Sequence, residues 1–288
     1  MQILITGSNG FIGSHLNHSL ITKKIDTYHI TRDEMNDFSL SQSMNNISAN
    51  VLIHLASNAF IPDSFDDPSG VYLENYKSTL SALEICRRHK IKKFIYFSSY
   101  VYGSPEYLPV DENHPTSIKN PYGRSKLHGE FLCHAYAEDY DMDITILRPF
   151  NIYGEGQKNK FLFPTIIRQL LDPEVTYVTV ENTNTKRDYL YIKDLISLLN
   201  KIIFSSSLSG VSSFNVGFGE SYSVDEILKK MMKIFGIEKE IIDKGSKRKN
   251  EVMDCYADNT KIKEFLSWEP KYNIDRGLKD LKESLKSY

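Results

Sequence analysis

The chain opens on Gln2-Ile-Leu-Ile-Thr6, an apolar run that passes directly into Gly7-Ser-Asn-Gly10-Phe-Ile-Gly13 and then into a helical pattern. A strand feeding a glycine-spaced turn and then a helix is how a βαβ unit begins, and such units build parallel sheets. The spacing is Gly-x-x-Gly-x-x-Gly rather than the more common Gly-x-Gly-x-x-Gly. Its physics is similar: Gly7 permits a tight turn, Gly10 lets backbone approach a pyrophosphate, and Gly13 lets the helix pack close to the strand. Amides at the helix N-terminus then face the anion. A plain glycine turn needs no such flanks, so Gly7, Asn9, Gly10, Phe11, Ile12 and Gly13 are read as a dinucleotide cradle.

Short apolar runs at 2–6, 25–30, 51–55, 93–98 and 143–148 alternate with helical patterns at 11–21, 71–89 and 122–139. Several runs are apolar almost throughout, as in a sheet covered on both faces. The fold class this predicts is α/β: a doubly wound parallel Rossmann sheet with right-handed crossovers. After Gly154 the rhythm changes. Helices are expected at 161–171, 193–204, 224–235 and 274–287, with a strand at 175–180. The predicted organisation is a dinucleotide-binding domain over 1–154 and a smaller C-terminal α/β substrate-binding lobe over 155–288. Part of 181–216 returns to the first domain, and a cleft between the two is the expected ligand site.

A chain of 288 residues with 41% hydrophobic side chains can bury a sizeable core. A formal net charge of −2 gives no nucleic-acid or anionic-membrane surface. Cys86, Cys133 and Cys255 lie far apart, show no metal-ligand spacing, and suit a reducing compartment. No signal run or membrane-length apolar stretch is present, so the expectation is a cytoplasmic protein without metal, nucleic-acid or membrane partners.

The segment Pro-Tyr-Gly-Arg-Ser-Lys at 121–126 carries a Tyr122-x-x-x-Lys126 pair. Residues four apart share one helix face, so the Lys126 ammonium can sit near the Tyr122 phenol. A free tyrosine, with a pKa near ~10, is a poor base at neutral pH, and an adjacent cation lowers it. A drop of about three units needs roughly 4 kcal/mol, which a cation, a second hydrogen bond and a nicotinamide ring supply together. The product is a proton carrier for carbonyl/alcohol chemistry. Alone, the spacing also fits a half-exposed tyrosine beside a solvated lysine.

The end of the second strand selects the nucleotide. An NAD site places Asp or Glu there for the ribose 2′-hydroxyl. This chain has His29-Ile-Thr31-Arg32-Asp33, and Arg32 suits a 2′-phosphate. NADP(H) is therefore favoured; NAD(H) fits if the strand runs on and Asp33 takes the ribose. Asp37 and Phe38 flank the adenine.

Taken together, these motifs resemble the extended short-chain dehydrogenase/reductases, the epimerase/dehydratase group acting on nucleotide sugars. The likeness spans nearly the whole chain. It includes His54-Leu55-Ala56 with Ser57, Asn75, Phe97-Ser98-Ser99-Tyr-Val-Tyr-Gly103, Leu147-Arg-Pro149-Phe-Asn151-Ile-Tyr-Gly154, Lys186-Arg187-Asp-Tyr-Leu-Tyr-Ile-Lys-Asp194, Phe214-Asn-Val-Gly217, Ala257-Asp258 and Trp268-Glu-Pro270. The resemblance implies a catalytic set of Ser98, Tyr122 and Lys126. Ser98 is placed by counting from Tyr102-Gly103, with Ser99 the candidate if the register slips by one. It also implies cofactor contacts at Leu55, Ala56, Ser57, Asn75, Tyr122, Lys126 and Pro149. Substrate contacts fall on Ser98, Tyr122, Asn151, Arg187 and Arg248, with Tyr100 and Phe60 as further pocket candidates. The bland alternatives are a turn cap for Asn151, an ion pair of Arg187 with Asp188 or Asp194, and a satisfied strand histidine for His54.

Two activities fit this resemblance: an NADPH-dependent reductase of a 4-keto-6-deoxy nucleotide sugar, and an NAD-dependent 4-epimerase. Thr31-Arg32 tilts the expectation to the reductase. Ser99 and Tyr100 stand where 4,6-dehydratases carry Asp-Glu, which argues against dehydration. A non-catalytic nucleotide-binding sensor is a third reading, disfavoured because both Tyr122 and Lys126 stand. The helices at 71–89 and 122–139 resemble those forming the family's homodimer seam.

Overall fold

The structure is a computed structural model that describes residues 1–37, 49–205, 208–246 and 250–286. In chain order the elements are β1 (Gln2–Thr6), α1 (Phe11–Thr22), β2 (Asp26–Ile30), α2 (Arg32–Asp37), β3 (Ala49–His54), α3 (Ile61–Asp66), α4 (Pro68–Arg88), β4 (Lys93–Phe97), α5 (Pro121–Tyr140) and β5 (Asp143–Pro149). They continue with β6 (Asn151–Tyr153), α6 (Leu162–Leu171), β7 (Tyr177–Val180), β8 (Lys186–Tyr191), α7 (Ile192–Phe204), β9 (Val211–Val216), β10 (Ser221–Ser223), α8 (Val224–Phe235), β11 (Glu240–Asp243), α9 (Thr260–Leu266) and α10 (Ile274–Leu285).

The chain divides into two compact units. The first comprises Met1–Gly103, Pro115–Pro149 and Leu198–Asn215; the second comprises Ser104–His114, Phe150–Ser197 and Val216–Tyr288. The first unit is built on a six-stranded sheet of order β2-β1-β3-β4-β5-β9. Each neighbouring pair from β2 through β5 is parallel. This is the predicted α/β Rossmann architecture. Strand order reverses about β1, which has β2 on one side and β3 on the other, so the C-terminal ends of β1 and β3 form the topological switch point where such sheets bind ligands. Ile3, Leu4, Ile5, Leu52 and Ile53 are fully shielded, as a doubly covered sheet requires.

The boundary falls at Pro149 rather than Gly154, part of the 181–216 range is in the first unit, as expected, and residues 104–114 depart from the expected division. β9 joins the edge of the main sheet, so the segment leading into it belongs with the first unit. The segment 104–114 goes with the second unit, because Val110 bridges Ala257 and its amide donates to the Tyr256 carbonyl at 2.9 Å. In that second unit β10, β8 and β6 form a mixed sheet, and β11 pairs with β7 in parallel.

Local chemistry sets where α5 begins. Asn120 is its N-cap and accepts from the Gly123 amide at 2.7 Å, with Pro121 just inside. This is a favoured helix start, with the cap contributing about 1 kcal/mol. It places Tyr122 and Lys126 on the first two turns. α4 starts in the same way, with Asp67 accepting from the Gly70 amide. Both helices leave large apolar side chains exposed, among them Leu73, Tyr76 and Phe131. Among the described residues, no helix is long and apolar enough to cross a membrane.

Candidate active site

The glycine turn lies where β1 enters α1. Gly7 adopts φ +69°, a conformation glycine tolerates and other residues rarely do. A Cβ on it would also lie 2.7 Å from the Ala56 amide nitrogen, so the turn is pressed against the end of β3. A Cβ on Gly13 would fall 2.7 Å from Ser8 Cα. α1 has no side-chain cap on its first turn and no acidic residue there, so its amides are open to an anion. The turn over Gly7, Asn9, Gly10, Phe11, Ile12 and Gly13 thus offers uncapped amides of a kind that suits an anion such as a dinucleotide pyrophosphate.

Leu55, Ala56 and Ser57 leave the end of β3 beside that turn. The Thr6 hydroxyl accepts from the Ala56 amide at 3.2 Å and meets His54 Nδ1 at 2.7 Å. Thr79 faces the other ring nitrogen of His54. Burial, and then Lys126, hold His54 well below the usual imidazole value, so it is a neutral, partnered strand residue. Asn75 ties three segments together. Its side-chain oxygen accepts from the Asn58 amide at 2.9 Å and from the Ser57 hydroxyl, and its Nδ2 donates to Ser125 Oγ at 2.8 Å.

After β2, Thr31 and Glu34 form a reciprocal cap. The Glu34 amide donates to Thr31 Oγ1, while Glu34 Oε2 accepts from the Thr31 amide at 2.9 Å and from its hydroxyl. Glu34 is 8% exposed and also accepts from the Tyr28 hydroxyl. The carboxylate nearest the strand end is therefore turned inward, leaving Arg32 and Asp33 exposed at the start of α2. Thr-x-x-Glu is a readable capping signal, and it is the clue by which Glu34 could have been found from sequence. Lys77 donates to Asn36 Oδ1 at 3.0 Å, linking α4 to α2. Asp37 ends α2 with a side chain outside the described residues, as are Phe38 and Arg248.

Tyr122 and Lys126 lie on one face of α5, as their spacing requires. Ser99 is the serine whose side chain favours ionisation of the Tyr122 phenol. Ser98 is 2% exposed and donates instead to Glu130 Oε1. The Ser98 hydroxyl is therefore engaged by Glu130, which favours Ser99, the candidate for a register slipped by one, as the serine of the set. The reason is geometric: consecutive residues at a strand end project to opposite sides. The ionisation of the pair also departs from expectation. Burial pushes the Tyr122 phenol up to about 12, with Ser99 opposing. Burial pushes Lys126 down to about 7. Its Nζ lies 4.5 Å from the centre of the Tyr96 ring. In the protein alone, loss of hydration is the largest influence on both groups.

Glu130 and Arg148 complete this region, and sequence reasoning missed both. Arg148 donates to Glu130 through Nε at 3.0 Å and Nη2 at 2.7 Å, and through Nη1 to the Tyr102 hydroxyl at 3.0 Å. Tyr102 donates to Asn215. Pro149 follows Arg148 at the half-buried end of β5. The available signal was a glutamate four residues beyond Lys126, on the same helix face.

In the second unit, Asn151 on β6 pairs in register with Tyr189 on β8. Arg187, two residues earlier on β8, shares that face. Asn151 Oδ1 is buried without a hydrogen-bond partner, which is not the geometry of a turn cap. Asp188 accepts from the amides of Phe218, Gly219 and Ala257, and Asp194 from those of Lys271 and Tyr272. Both acids named as possible partners of Arg187 are thus engaged by backbone. Burial still raises Asp188 to about 6 against those three bonds.

Known proteins place the site in context. The chain is 29% identical over 339 residues to the Mus musculus UDP-glucose 4-epimerase, covering 97% of this chain and 95% of that one. It is 26% identical over 290 residues to the Pseudomonas aeruginosa GDP-6-deoxy-D-mannose reductase, covering 96% and 95%. The Thermotoga maritima UDP-glucose 4-epimerase, solved with UDP-glucose, superimposes with a TM-score of 0.89 at 25% identity, over 100% of this chain and 99% of that one. With the model of the NAD dependent epimerase/dehydratase family matched over residues 3–217, the chain belongs to that family.

Proposed function

We propose that this NAD(P)-dependent nucleotide-sugar enzyme is a 4-epimerase of a UDP-linked hexose. It would oxidise C4 to a ketone and reduce it from the opposite face. The observation that carries the reading is the placing of Tyr122 and Lys126 one turn apart at the start of α5, with Ser99 the serine that favours ionisation of the Tyr122 phenol, in a chain that runs nearly end to end with UDP-glucose 4-epimerases. The relatives move the balance from the reductase, which Thr31-Arg32 favoured, to the epimerase. A bound nicotinamide supplies the hydride acceptor and donor. The glycine turn holds the cofactor diphosphate, and Lys126 orients the adjoining ribose. Tyr122 takes the proton from the sugar O4 and returns it, and Ser99 bonds the same oxygen. In the protein alone the phenol keeps its proton; taking the proton from O4 requires the phenolate, which Lys126, Ser99 and the positive charge of the oxidised nicotinamide would stabilise. Asn151, Arg187 and Arg248 contact the substrate diphosphate.

Incubation with UDP-glucose, UDP-N-acetylglucosamine and UDP-glucuronic acid should yield the C4 epimer of at least one by NMR, with no net change in nicotinamide absorbance. Failure on all three, together with stoichiometric NADPH oxidation on a 4-keto-6-deoxy sugar nucleotide, would reverse the assignment.

The β2–α2 corner favours that second reading, a 4-ketoreductase. With Glu34 spent in its cap, Arg32 is free to take a 2′-phosphate. A charge-assisted contact contributes about 1.5–3 kcal/mol, or roughly 10–100-fold. Under the reductase reading, Arg32→Ala should weaken NADPH by that factor and leave NADH within about threefold; calorimetry showing equal losses for both would remove the support.

A further inference from the structure

We propose that Ser98, Glu130 and Arg148 form a positioning device that aims Ser99 at the Tyr122 phenol. The proposal rests on Ser99, Tyr122 and Lys126 being the reacting centre. Glu130 lies eight residues beyond Tyr122 and four beyond Lys126, so its carboxylate is on the face of α5 that carries both. That carboxylate takes three donors: the Ser98 hydroxyl and Arg148 Nε on one oxygen, and Arg148 Nη2 on the other. Ser98 follows the last residue of β4, and its own amide donates to the Leu147 carbonyl at 2.8 Å. Arg148 is the penultimate residue of β5 and is braced by Tyr102, which is held by Asn215. Ser98, Tyr102, Glu130, Arg148 and Asn215 are 2%, 0%, 3%, 8% and 0% exposed.

One carboxylate therefore joins the helix carrying the proton carrier to the ends of two strands, where Ser99 and Pro149 emerge. A buried ion pair is a poor source of stability, since apolar residues of similar volume do as well or better. What it supplies here is register. With Ser98 bound inward, its neighbour must project the other way, toward Tyr122. Sub-ångström aim matters, because a misplacement near 1 Å costs on the order of 10²-fold in rate.

The test uses the full chain and four variants: Ser98→Ala, Ser98→Thr, Ser99→Ala and Tyr122→Phe. Tyrosine labelled with ¹³C at Cζ reports the hydrogen bond at each phenol, and Tyr122→Phe assigns the Tyr122 resonance; this arm needs no substrate. The Tyr122 shift should move in Ser99→Ala, move in the same direction in Ser98→Ala, and return in Ser98→Thr. With UDP-glucose, Ser99→Ala should lose about 10²–10³-fold in kcat. Ser98→Ala should lose roughly tenfold with KM within about twofold, and Ser98→Thr should recover most of it. A Ser98→Ala protein whose Tyr122 resonance stays at the wild-type position overturns the proposal. So does one that loses as much turnover as Ser99→Ala without moving that resonance, because Ser98 is then itself the reacting hydroxyl. If Tyr122→Phe keeps its turnover, the reading of the centre fails, while the resonance comparison still decides the positioning.

Discussion

Tyr122→Phe is expected to lower kcat by about 10³-fold and to leave nucleotide affinity within about twofold. The substitution deletes one oxygen and preserves the ring, so packing at the start of α5 is kept. What disappears is the phenol hydroxyl, the proposed proton carrier; general acid–base catalysis by one placed group is worth about 10²–10⁴-fold. Binding should persist, because the proposed cradle rests on glycine-turn amides and the segment held by Asn75, neither of which involves the hydroxyl. Rate measurements and calorimetry on the same preparation separate the two effects. Retention of more than a tenth of the turnover would refute a chemical role for this tyrosine, and a parallel collapse of affinity would make it a binding residue.

The second large effect is one of opposite signs. Lys126→Met should abolish turnover, by roughly 10³-fold or more, and raise the thermal midpoint at pH 7. Lys126 is 2% exposed and burial holds it near 7 against an ordinary 10.5. At ~1.36 kcal/mol per unit, keeping the ammonium charged in that place costs at most about 5 kcal/mol. A methionine of similar length keeps the packing without the charge, so a gain of about 2–4 kcal/mol, or roughly 5–10 °C, is expected. The sign with pH follows from linkage. The folded pKa is depressed, so between about 7 and 10.5 the unfolded chain binds the extra proton and wild-type stability rises with pH. The advantage of the variant should therefore shrink as pH is raised through that window. Denaturant titrations at pH 7 and 9.5 decide it: a variant less stable at pH 7, or a gap that does not narrow, would show that the lysine is not strained by its burial.

The main sheet and the glycine turn were legible because backbone chemistry speaks through residue type. Gly7 needs a positive φ, β1 and β3 need apolar side chains on both faces, and Asn120-Pro121 starts a helix wherever it falls. Other features depend on direction, which spacing does not encode. Ser98 and Ser99 are chemically identical neighbours, and only the turn of the chain after β4 says which one meets Tyr122. Charge adjacency on a helix predicted a lowered tyrosine pKa, whereas the depth of burial, invisible in sequence, moved it upward. Glu130 and Arg148 look like ordinary surface charges until the fold encloses both. The return of β9 to the main sheet could be anticipated only as a range, because a strand of six residues in which Ser212, Ser213 and Asn215 interrupt the apolar pattern carries little signal of its own.

The interleaving of the two units has a practical consequence for anyone who would dissect this molecule. A gene fragment stopping at 154 would encode β5 without β9, exposing a full row of backbone donors and acceptors along a long apolar edge. Such an edge recruits other chains. It would also strip Asn215 from Tyr102 and leave residues 104–114 without the Val110–Ala257 bridge. Soluble material should come from the whole polypeptide alone, and neither half will serve as a free-standing nucleotide-binding module.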